Sequence, residues 1–130
     1  MAATIRERFH QLLTVVGDDV TAQRLIQDVK ACILRYHDTV ISMDRTLHAQ
    51  RYRVEGEELR DLTQRLDTLR HTSHERLVDS VVIANRYLFK TYGKKVPTGG
   101  IYTESPHHLV GSPDRCAIGS WAMQNAVVLQ

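Results

Sequence analysis

The chain has 130 residues, 42% hydrophobic and 25% charged, and a formal charge of +2 from 17 basic and 15 acidic side chains. That apolar fraction argues against bulk disorder, and a chain built to coat phosphates carries a clearer basic excess. The length predicts one domain, residues 1–130, able to bury a core where its helices pack on one another.

Its apolar runs, such as Val81–Ala84, are far too short to span a bilayer. The opening MAATIRERFH carries charges where a signal peptide needs its apolar core. Cys32 and Cys116 lie far apart and fit no metal spacing. A reduced, cytoplasmic setting is therefore expected.

The first helix is well signalled. Thr4 can cap it, and Glu7 stands three residues on, the capping-box spacing. Ile5, Phe9, Leu12, Leu13 and Val16 form an apolar stripe, and Gly17 stops it. Asp18 or Asp19 opens the next helix, and no Gly or Pro follows until Gly56. Ala22, Ile26, Val29, Ile33, Tyr36, Val40, Met43 and Leu47 alternate in steps of four and three, the heptad seam of helices packed lengthwise.

After Gly56 a second Gly- and Pro-free stretch runs to Tyr92 and begins Leu59, Leu62, Leu66, Leu69, again in heptads. Two seams joined at one glycine predict a long antiparallel helical hairpin with arms of about 50 Å. Thr72 and Glu75 repeat the capping-box spacing, so a break or kink is expected at residues 71–73. Beyond it the apolar face widens through Leu77, Val78, Val81, Val82, Ala84, Leu88 and Phe89, which suits a helix covered on more than one side. Ser112, Pro113 and Asp114 signal a last helix, whose end, NAVVLQ, has no charged side chain and must be buried or meet another chain. The fold class expected is all-α, a bundle of four or five helices.

All three prolines and four of the seven glycines fall in residues 91–114. The stretch 93–112 is expected to be an ordered loop. Val96, Ile101, Tyr102, Leu109 and Val110 can pack, Gly99-Gly100 allows a turn, and Val96 and Gly100–Thr103 can form short extended pieces. Its leading interpretation is a seal over one end of the core.

The competing interpretation is a site. Lys94, Lys95, Tyr102, Glu104, His107, His108, Asp114 and Cys116 offer positive charge, a carboxylate, two imidazoles and a thiol within a short stretch. Such groups bind anions or metals, or exchange protons. A phosphate loop is excluded, because the Gly and the Ser or Thr that must flank its Gly-Lys are missing. Glu104, His107 and His108 have no recognised zinc spacing, and Cys116 with a histidine would make a nucleophile pair only if the fold brought them together.

Elsewhere the chemistry is sparse. His71 and His74 lie three apart, with a helix start expected between them, so they are expected to be solvated cap residues. His37-Asp38 would need His10 and Asp79 to complete a metal set, and surface chemistry is the simpler expectation. No Glu-x-x-His pair suggests a di-iron site. Helix, Gly17 and helix could place Gln23, Arg24, Gln27 and Lys30 in a DNA groove, but Asp18, Asp19 and Asp28 would then face phosphates. Asn85-Arg86 sits amid an apolar face and is expected to be a satisfied polar pair at a helix contact, with part of a pocket beside the loop as the alternative.

The expectation that follows is a non-enzymatic interaction or regulatory protein, a homodimer with no cofactor, metal or membrane. A small-molecule- or metal-binding protein or enzyme using residues 93–116 is the alternative, and a DNA-binding regulator a further one.

Overall fold

The structure, a computed structural model, describes residues 4–103 and 115–130, apart from the side chains of Arg115 and Cys116. The fold is all-α. The described residues form α1 (Ile5–Val16), α2 (Val20–Gln50), α3 (Glu57–Tyr92), a single 3-10 turn at Gly93–Lys95, and α4 (Arg115–Leu129).

The ends of α1 follow from its sequence. Thr4 Oγ1 accepts from the Glu7 amide while Glu7 returns its carboxylate to the Thr4 amide, a complete capping box. Gly17 stops the helix with a φ of 56°, and its amide still donates to Leu13. Asp19 then caps α2 through the Ala22 amide.

The helical hairpin is present. Helices α2 and α3 run against each other, with Thr39 Oγ1 3.3 Å from Ser73 Oγ across the seam. The expected break at residues 71–73 is not there: α3 is one helix of 36 residues. Thr72 is no cap; its hydroxyl folds back onto the Thr68 carbonyl, a bond available within an uninterrupted helix. The fifth helix that depended on this break is therefore absent among the described residues.

Burial divides the hairpin into two parts. The core consists of the α1 stripe, α2 from Ala22 to Tyr36, α3 from Leu77 to Leu88, the loop residues Val96, Ile101 and Tyr102, and the inner face of α4. Between His37 and Arg76 no residue is buried. The hairpin thus has a base inside a four-helix core and an arm in which α2 and α3 cover only each other's seam. The two faces of one sequence pattern meet different fates because α1 and α4 are shorter than the arms they pack against.

Inside α4, Ile118, Trp121, Ala122, Ala126 and Leu129 are buried. Gly119 brings this helix close to its neighbours: a β-carbon there would stand 3.2 Å from the His74 ring and from the Tyr36 hydroxyl. Val127 and Val128 stay exposed, so only part of the charge-free end enters the core.

Candidate functional site

The stretch of loop from Val96 to Thr103 packs as a seal on the core. Its path is held from two sides. From α1, Arg8 Nη1 donates to the carbonyls of Thr98 and Gly100. From α3, the fully buried Asn85 donates to the Gly99 carbonyl at 3.1 Å and accepts from the Ile101 amide at 2.9 Å. One carboxamide thereby satisfies a buried donor and a buried acceptor of the turn. Gly99 and Gly100 both take positive φ, which supplies the reversal. The expected extended piece at Gly100–Thr103 is a turn instead, since those backbone groups pair with Arg8, Asn85 and the turn itself rather than with a strand.

The loop candidates are scattered by this packing. Lys94 and Lys95 are exposed on the 3-10 turn. Tyr102 is buried, edge-on to Trp121 with ring centroids 5.1 Å apart, while Trp121 Nε1 donates to Thr103 Oγ1 at 2.7 Å. Tyr102 is thus a packing residue. Glu104, His107, His108, Ser112, Pro113 and Asp114, together with the apolar anchors Leu109 and Val110, lie outside the described residues, as does the Cys116 side chain.

Asn85 is a satisfied polar group, as its sequence context suggests, but it serves the loop, and Arg86 is exposed rather than paired with it. His37 Nδ1 is 3.5 Å from Asp38 Oδ1 on its own helix. His10 and Asp79 are exposed, and no three metal-ligating side chains gather among the described residues. In the α1–α2 turn, Gln23 folds back to the Gly17 carbonyl.

Asp19 links the two ends of the hairpin base. Its Oδ1 caps α2, while Oδ2 accepts from Tyr87, at 2.9 Å, and from Tyr92. These hydrogen bonds, the one from Tyr92 foremost, hold the carboxyl below its usual range. The same carboxylate pushes the Tyr92 phenol up to about 12. Both carboxylate oxygens and both phenol O–H groups are engaged, so the cluster reads as a clasp between α2 and α3.

Two grooves remain. The first, about 520 Å3, runs along the arm between α2 and α3. Met43, Leu66 and Leu69 make its apolar wall, and Thr39, Ser42, Thr46 and Ser73 its polar one; among the described residues, Arg35 and Asp38 are its charged lining. Leu69 is 57% exposed. The second groove, about 480 Å3, lies between α3 and α4 and is floored by Tyr36 and Gly119. Because α3 is unbroken, His71 and His74 share a face and both line it, beside Arg70. The expectation of separated cap histidines fails for the same reason as the expected break.

Sequence reasoning missed both grooves. The arm groove had a signal in the small polar residues Thr39, Ser42 and Thr46, which flank the α2 seam at helical spacing. The second depends on Gly119, and a lone glycine inside a helix does not reveal what approaches it.

A protein-family comparison covers almost the whole chain. Residues 2–128 match the model of DUF3232, described as a protein of unknown function, and the chain belongs to that family. No curated protein matches the chain. Among the described residues no helix is long and apolar enough to cross a membrane.

Proposed function

For this member of the DUF3232 family we propose a non-enzymatic interaction protein whose working element is the α2–α3 arm, with a second copy of the chain as its partner. The observation that carries the reading is the absence of any buried residue between His37 and Arg76, although the arm keeps its heptad seam. An isolated pair of helices gives each seam residue cover on one side only, whereas two such hairpins laid together form a four-helix layer and cover both. Beyond Arg35 and Asp38 the described lining of the arm groove is uncharged, so two identical grooves can meet there without burying like charges. A twofold arrangement, in which one patch meets itself, is the commonest solution for identical chains.

The test is Leu69→Glu, measured by light scattering beside the parent chain. Leu69 is exposed within one chain, so the substitution leaves the monomer fold intact. Weakening of self-association by about tenfold or more supports the reading. Unchanged association, or a parent chain already monomeric, counts against it.

A further inference from the structure

We propose that the groove between α3 and α4 binds a small organic oxyanion, a carboxylate or phosphate carried on an apolar body. The site does not depend on self-association through the arm.

The first support is the set of groups facing the groove. Arg70, His71 and His74 line it from α3, one helical turn of basic side chains. Ser120 and Gln124 add neutral donors from α4, and Tyr36 adds a hydroxyl from α2. Among the described residues no carboxylate lines it. On α3, Asp67 stands 3.7 Å from the Arg70 guanidinium in a half-exposed contact. A pair so exposed and so long competes weakly with a ligand. Guanidinium and imidazole N–H groups lining one concavity suit an oxyanion, since the guanidinium fork matches two oxygens at once.

The second support is construction. Gly119, in the lining of the groove, has no side chain and lets α4 approach the His74 ring and the Tyr36 hydroxyl. The Tyr36 and His74 rings sit 5.6 Å apart at 57°, which fixes the wall against which a ligand would lie. Met123 and the Tyr36 ring supply apolar surface beside the basic row, so a bare inorganic ion would leave part of the groove unused.

The experiment is an NMR titration of the full chain at about pH 6. The probes are benzoate, phenyl phosphate and, as the neutral control, benzyl alcohol. The expected result is saturable movement of the His71 and His74 ring signals and of the Gly119 and Ser120 amides with either anion, and none with the alcohol. Binding of the preferred anion should weaken about fivefold or more in Arg70→Gln and in His71→Gln. Both replaced side chains are exposed or half-exposed, so the native spectrum should persist in each. Preference for benzoate identifies a carboxylate site, and preference for phenyl phosphate a phosphate site. No saturable movement with either anion, equal movement with benzyl alcohol, or unchanged affinity in both variants overturns the proposal.

Discussion

Gly100 lies so close to Asn85 that a β-carbon at residue 100 would come within 2.2 Å of the Asn85 carboxamide oxygen. The same oxygen accepts the Ile101 amide, so the contact is part of the bond that seats the loop. Gly100→Ala must displace Asn85 and also hold an L-residue at a φ of 61°. Asn85→Ala leaves the Ile101 amide buried without a partner and leaves the Gly99 carbonyl only its bond from the Tyr102 amide. Each substitution is expected to cost about 3 kcal/mol, or roughly 10 °C in thermal midpoint. Differential scanning calorimetry checks this; a shift of a degree or two in both would mean the loop does not depend on that contact.

The Asp19 clasp predicts a particular alkaline behaviour. The Tyr92 phenol is raised from 10.0 to about 12 in the folded chain, so folding favours its neutral form. Its contribution to stability is complete below pH 10 and is lost as pH rises toward about 12. Asp19 works in the opposite sense: its carboxyl is lowered, so its contribution is present above the normal carboxylate range and lost as pH falls through that range. In Asp19→Asn, the Tyr92 titration followed by tyrosinate absorbance should move back toward 10.0. An unmoved late phase would place the cause elsewhere.

Thr72→Ala distinguishes a continuous α3 from a broken one by sign. In the continuous helix the Thr72 hydroxyl bonds only its own Thr68 carbonyl, and alanine should stabilise by about 0.5 kcal/mol through helix propensity. Were Thr72 a cap at a helix break, its loss would cost about 1 kcal/mol. Urea denaturation of the two chains decides between them.

Gly119 should tolerate one carbon and not three. Alanine gains about 1 kcal/mol of helix propensity, which offsets a 3.2 Å contact that His74 can relax by a few tenths of an ångström. Valine adds branches toward Tyr36 and His74 and is expected to cost about 2 kcal/mol or more. Thermal melts of Gly119→Ala and Gly119→Val check the contrast; equal effects would mean that α4 does not approach α2 and α3 there.

Much of the fold is legible in the residues themselves. The Thr4–Glu7 box, the Gly17 stop and the two heptad seams each act through local geometry, so sequence spacing is enough to read them. Thr72–Glu75 imitates the same local code, but the hairpin packing across Thr39–Ser73 keeps the helix intact. Propensity proposed a break there and tertiary contact overrode it. The site was less legible. Asn85 is visible as a polar residue in an apolar row, yet its partners Gly99 and Ile101 are set by the path of the loop. The His71–Arg70 groove depends on a helix approaching from far along the chain, which no periodicity records.

Self-association through the arm is the central claim, and sedimentation equilibrium of the unmodified chain across the micromolar range tests it most directly. The expected result is a reversible monomer–dimer equilibrium, with the dimer lost on dilution and in Leu69→Glu. A mass that stays that of one chain at every concentration would contradict it, and the half-covered seam from Val40 to Leu69 would then be a property of the monomer alone.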